Sequence, residues 1–157
     1  MTTFRALTLS VSVFAAIGHA SAQSLPKTGS INWHTGWRST GDVLEVGKGR
    51  LQGHGSVVGT TFNDSGSGPL HHGIAECVYV FSSSDGVGPL KGYCAFGDSD
   101  GDRIFTEFTG EGAAGTNVIM GGTGKYSGIS GRGPWTSFSR GGHGGLGTTQ
   151  RLDYRLP

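Results

Sequence analysis

Apolar and polar residues alternate along most of this chain with a period of two, and glycines interrupt the alternation every few residues. The run "IAECVYVF" (74–81) is the clearest case. Ile74, Glu76, Val78 and Val80 fall on one face, and Cys77, Tyr79 and Phe81 on the other. Successive side chains of a strand point to opposite faces, so this pattern predicts a strand. The same reading applies to "SINWHTGWR" (30–38), "LKGYCAF" (90–96), "RIFTEFTG" (103–110), "TNVIM" (116–120), "YSGISGRGPWTSF" (126–138) and "TTQRLDYRL" (148–156). The glycine-broken stretch "DVLEVGKGRLQGHGSVVGTTF" (42–62) predicts two strand pieces or one strongly bent strand. Between these runs lie "NDSGSGPLHHG", "SSSDGVGP", "GDSDGD", "GGTGK" and "RGGHGGLG", which read as turns and loops. About eight strands and no helix predict an all-β fold, a single antiparallel eight-stranded barrel of lipocalin-like shape. Closure is preferred to a sandwich because it removes sheet edges that a chain with so little charge does not protect.

The first 22 residues depart from this pattern. Arg5 supplies a positive start, "ALTLSVSVFAAIG" an uncharged apolar core, and Ala20 and Ala22 the small residues before a cut. That is the build of a secretory signal peptide, and the stretch is too short to span a bilayer stably. The 157-residue chain less these 22 leaves 135, the size of one domain running from 23 to 157. The localisation expected is therefore periplasmic or secreted, with no membrane partner after cleavage. Without Arg5, the 12 basic residues become 11 and match the 11 acidic ones. A nucleic-acid partner calls for a basic excess, so none is expected. Glycine accounts for 31 residues, spread through the strands as turns, bulges and bends of a closed sheet would require.

Both cysteines, Cys77 and Cys94, lie after the leader, and an oxidising compartment makes a Cys77–Cys94 disulfide the first reading. The rival is a free nucleophilic thiol. "GGTGK" resembles a phosphate loop, but Tyr126 follows Lys125 where a hydroxyl should bind magnesium, and Ile119 stands where the first glycine belongs. Gly121, Gly122, Gly124 and Gly128 instead read as a structural turn able to take positive φ. "DSDGD" invites calcium, yet the sixth and twelfth loop positions counted from Asp98 are Arg103 and Thr109 rather than glycine and glutamate. A hairpin turn is the preferred reading. His34, His54, His71, His72 and His143 show no metal spacing, and neither a metal nor another cofactor is expected. No nucleophile elbow is present. Glu76 and Glu107 are the carboxylates inside strongly strand-like runs. A glutamate on an apolar stripe facing a cavity would have a raised pKa and could move a proton. If it faces water instead, a partner such as Arg103 suffices.

The strand "NVIM" followed by "GGTGKYSGISGRG", with "GYCAFGDSDGDRIFTEFTGEG" just before it, is similar to the allene oxide cyclase and dirigent-like β-barrel families, and to small exported bacterial proteins of that group. The likeness runs from about residue 75 to 135. It implies an eight-stranded barrel around an apolar cavity, assembly as a homotrimer, and steering of a reactive small molecule without a cofactor. The expected partner is thus a small hydrophobic or aromatic molecule. Candidate catalytic residues are Glu76 and Glu107, and candidate ligand-binding residues are Tyr79, Tyr93, Phe96 and Phe105. Two functions of different class follow: a cofactor-independent cyclase or isomerase, and a non-catalytic lipocalin-like carrier. A filled structural or interaction barrel is the third. Fold alone does not decide among them.

Overall fold

The computed structural model describes residues 25–139 and 146–157. The expected signal peptide, residues 1–22, and His143 lie outside the described residues. Eight strands follow in chain order: β1 (Thr28–Gly47), β2 (Arg50–Asn63), β3 (Gly73–Ser84), β4 (Pro89–Gly97), β5 (Arg103–Glu111), β6 (Ala114–Gly122), β7 (Ser130–Ser139) and β8 (Leu146–Arg155). Each pairs antiparallel with the next, and β8 returns to β1, closing an eight-stranded barrel. The first predicted strand and the front of the glycine-broken stretch prove to be one 20-residue strand, β1. The chain reverses only after Gly47, where a register shift breaks the β1–β2 ladder.

Eight strands enclose an interior just wide enough to be filled by side chains or to hold one small ligand. This barrel does both, at opposite ends. At the filled end Trp33, Phe96, Ile104, Leu152 and Tyr126 have no solvent exposure, and Trp33 meets Phe96 edge to face with ring centroids 5.2 Å apart. Leu70 plugs this end from the loop between β2 and β3, fully buried with φ +59°. A left-handed leucine is uncommon and persists only where its surroundings hold it. Here its N–H donates to the Asp98 carboxylate at 2.6 Å.

Asp98 is a buried buckle. Its second oxygen accepts from the Tyr126 hydroxyl and faces the Lys125 ammonium at 2.8 Å. One carboxylate thereby ties the plug loop, the β4–β5 turn and the turn after β6. Lys125 also bonds Asp100. Burial disfavours the Lys125 charge, but the bonds to Asp100 and Asp98 outweigh it and hold the pKa above its ordinary value. The bond from Lys125 in turn depresses that of Asp100. Burial, helped by Asp98, raises Tyr126 far above a free phenol. The "DSDGD" segment is thus a hairpin turn, closed by Asp98 N–H to Asp102 C=O at 2.7 Å, whose carboxylates embrace a lysine. The "GGTGK" turn is its counterpart. A Cβ on Gly124, at φ +51°, would lie 1.7 Å from Asp102. Gly121 and Gly128 also have positive φ, and a Cβ on Gly122 would press on Tyr126 at 2.6 Å.

Glycine content follows from the interior rings. Trp135 lies flat over β5 and β6, where a Cβ at Gly110 or Gly115 would come within 2.4 and 2.6 Å of it. Phe108 covers Gly92 on β4 in the same way. A ring on one strand fills the place of the side chain missing from its neighbour. Beyond Trp37, β1 pairs only with β2 among the described residues, β2 being backed in turn by β3, and this extension overhangs the other end with every residue from 38 to 52 exposed.

Candidate functional site

Above the filled end the interior opens into a hollow of about 230 Å³. Its walls come from alternating inward positions: Trp37 of β1, Val57 of β2, Tyr79 of β3, Leu90 of β4, Phe108 of β5, Trp135 of β7 and Leu146 of β8. The Cys77–Cys94 disulfide is itself part of the wall. The two cysteines sit directly opposite each other on β3 and β4, with Cα atoms 4.1 Å apart. That spacing belongs to a non-hydrogen-bonded antiparallel pair, in which side chains approach most closely. The disulfide reading of the sequence is thus the one the fold adopts, and the free-thiol reading falls with it.

The floor is polar. Asn117 and Gln150 are 2% and 8% exposed, and they carry a chain of hydrogen bonds across the interior. Thr106 Oγ1 donates to Asn117 Oδ1 at 3.4 Å, and Asn117 Nδ2 donates to Gln150 Oε1 at 3.0 Å. Gln150 Nε2 reaches Thr35 Oγ1 at 3.3 Å and Thr148 Oγ1 at 3.1 Å. The Trp37 indole N–H ends the chain on Thr148 Oγ1 at 2.8 Å. Buried amides joined in this way hold one another in a single arrangement. Among the described residues the lining contains no carboxylate, histidine, lysine or arginine. At the rim, the Tyr79 hydroxyl lies 3.0 Å from Ser39 Oγ, reaching from β3 across β2 to β1.

Of the sequence-predicted residues, Tyr79 lines the hollow. Phe96 is buried in the filled end, stacked edge-on against Trp33. Tyr93 and Phe105 are 47% and 37% exposed on the outer face, so their alternation places them outside the barrel. The two glutamates require correction as well. Glu76 is exposed on the outside, 4.0 Å from Arg103, and Glu107 is paired with Lys91 at 2.6 Å on the same outer surface. Their bond raises the Lys91 pKa. The inward stripe of β3 is Ala75, Cys77 and Tyr79, and that of β5 is Ile104, Thr106 and Phe108, so neither glutamate can move a proton inside the hollow. Among the described residues no group of three or more His, Cys, Asp or Glu is placed to hold a metal ion.

Asn117, Gln150, Thr148, Trp135 and Phe108 are the site residues that sequence reasoning passed over. A signal for the amides was present: Asn117 is in phase with inward Ile119, and Gln150 with inward Leu152 and Tyr154. An amide on an apolar stripe marks a polar group that the core must satisfy. The fold and site together define a closed eight-stranded antiparallel barrel with one hollow end. No family model matches the chain, and no curated protein is similar to it.

Proposed function

We propose that this protein is an exported barrel that binds a small, uncharged hydrophobic or aromatic molecule in its hollow end. One observation carries the reading: a concave chamber walled by rings and aliphatic side chains, with neutral amides on its floor and, among the described residues, no ionic side chain in its lining. Ligand sites have this composition, mostly apolar with a few convergent polar groups. An engineered 150 Å³ cavity takes up benzene, and drug-sized sites start near roughly 300 Å³. At about 230 Å³ the chamber suits a molecule of one ring or little more. The disulfide is compatible with export, and the leader read from residues 1–22 supports it.

Membership of the allene oxide cyclase and dirigent-like group, and with it a homotrimer, is a further part of this reading and rests on the resemblance of residues 75–135. The inward amides favour a second reading, a cofactor-independent cyclase or isomerase. Such an enzyme would act by holding its substrate in one conformation and hydrogen-bonding a developing charge. The test is titration of isotope-labelled protein with single-ring compounds, followed through the indole N–H signals of its tryptophans. Saturable shifts of Trp37 and Trp135 with an unmoved Trp33 are expected. Shifts absent throughout, or confined to Trp33, refute the chamber as a binding site. Native mass spectrometry of protein from its own exported fraction reads the leader cleavage, the oligomer and any retained molecule together.

A further inference from the structure

We infer that the floor of the chamber selects a ligand bearing one neutral hydrogen-bond acceptor, such as a ketone, aldehyde or ester oxygen, and that Thr148 and Asn117 are the residues that select it. This deepens the binding reading above and rests on it.

The inference comes from matching donors to acceptors. An indole can only donate, so the 2.8 Å contact of Trp37 uses one acceptor site of Thr148 Oγ1. Gln150 Nε2 uses the other at 3.1 Å. A hydroxyl has two acceptor sites and one proton, so the Thr148 proton is left over, and among the described residues nothing accepts it. Asn117 Nδ2 has two protons and spends one on Gln150 Oε1. The Trp135 indole N–H is buried without a partner. All three donors surround Gln150. Thr148 and Asn117 are bonded to its amide, and Trp135 is its register partner on β7. The oxygens of the floor are better served, because Gln150 Oε1 and Asn117 Oδ1 each accept a bond already. Asn117 and Trp135 are buried and Thr148 half-buried, and a donor shut away without an acceptor is rarer and costlier than a carbonyl using one of its two lone pairs. The floor therefore carries more donors than acceptors placed to meet them, and a ligand oxygen supplies the acceptor.

Charge narrows the class. A carboxylate also accepts hydrogen bonds, but among the described residues the lining contains no cation to offset its burial. An ammonium group would find no anion among the described lining residues and would compete with the same surplus donors. The volume restricts the rest of the molecule to about one ring.

Three probes of nearly one shape separate the outcomes on the full chain: acetophenone, α-methylstyrene with CH₂ in place of the oxygen, and benzoate. Acetophenone is expected to bind roughly tenfold tighter than α-methylstyrene, the worth of about one net hydrogen bond, and benzoate weakest. Thr148→Val should remove the ketone's advantage while leaving α-methylstyrene within about twofold, and Thr148→Ser should keep it. Equal affinity for ketone and alkene, with saturable indole shifts, overturns the acceptor selection and leaves the binding reading standing. Benzoate as the tightest probe overturns the neutral class. Binding by none of the three refutes the chamber as a binding site. The probe series on the unaltered chain decides the matter even where a variant fails to fold.

Discussion

Asp98→Asn tests whether one buried carboxylate holds the filled end together. The Asp98 side chain is only 3% exposed and accepts from the Leu70 N–H, the Tyr126 hydroxyl and the Lys125 ammonium. An amide has one acceptor oxygen. Turned toward Leu70, it presents NH₂ to Lys125; turned the other way, it presents NH₂ to the Leu70 N–H. Either way a charge-assisted bond, worth about 1.5–3 kcal/mol, is replaced by donor facing donor. Breaking a buried pair costs about 3–5 kcal/mol, but Lys125 retains Asp100 and is 20% exposed, which lowers the figure. About 3 kcal/mol is expected, or roughly 10 °C in Tm for a domain of this size. Lys125→Met should cost less, about 1–2 kcal/mol, because Asp98 keeps its two neutral donors. The double variant should then be little worse than Asp98→Asn alone, a coupling of about 1–2 kcal/mol. Urea unfolding at pH 7, followed by tryptophan fluorescence, measures all four corners of the cycle, and the Leu70 amide should lose exchange protection. A cost below about 0.5 kcal/mol for Asp98→Asn, with zero coupling, would refute the buckle.

Four further outcomes are expected. Replacing Cys77 and Cys94 with alanine releases a loop of 17-residue separation, and about 3 kcal/mol of stability should be lost in denaturant unfolding. Gly110→Ala places a methyl group where a Cβ would lie 2.4 Å from Trp135, so a loss of about 1–3 kcal/mol and a shifted Trp135 fluorescence are expected, relieved in part by Trp135→Phe. The pH dependence has a definite sign. Asp100, depressed below 3.8, contributes stability above that value and loses it as pH falls through its lowered pKa; Lys125, raised above 10.5, contributes below that value and loses it as pH rises through its raised pKa. Thermal melts should accordingly show the Lys125→Met difference constant from about pH 5 to 9 and shrinking outside that window. Glu76→Gln and Glu107→Gln should each change stability by no more than about 1 kcal/mol and leave probe affinity unaltered, as outer-surface pairs do.

Much of the fold is written in local pattern. The alternation on 74–81, 103–110 and 148–156 places strands there, and the turn glycines separate them, so an eight-stranded barrel could be read directly. Which face turns inward could not. On β3 the outward stripe of Ile74, Val78 and Val80 is at least as apolar as the inward one of Ala75, Cys77 and Tyr79, and Ile74, Val78 and Val80 are all more than half exposed. A one-residue change of phase moves an entire stripe across the sheet. Alternation alone therefore leaves Glu76 and Glu107 readable on either face, and the fold turns both outward, Glu76 beside Arg103 and Glu107 beside Lys91. The β1 overhang shows the same limit in another form. Gly41 and Gly47 punctuate the sequence as turn residues would, yet Gly41 lies mid-strand opposite Gly55, where a Cβ would meet the His54 carbonyl at 2.2 Å. Close approach and reversal call for the same residue type. The Asp98–Lys125 buckle and the Asn117–Gln150 floor join residues far apart in sequence, and local periodicity carries no trace of such pairs.

The closing seam has a consequence for how the molecule is made. Thr28 pairs with Arg155 and Trp37 with Leu146, so the first strand finds one of its two neighbours only in the last. Every other strand pair joins neighbours in the chain and can zip as a hairpin within microseconds. The seam must wait for the whole sheet to curl, and such distant pairing slows folding into the millisecond-to-second range. Until the seam closes, β1 and β8 remain open edges, each able to accept a strand from another copy. Misassembly is therefore a hazard concentrated in one late step, the meeting of the first strand with the last.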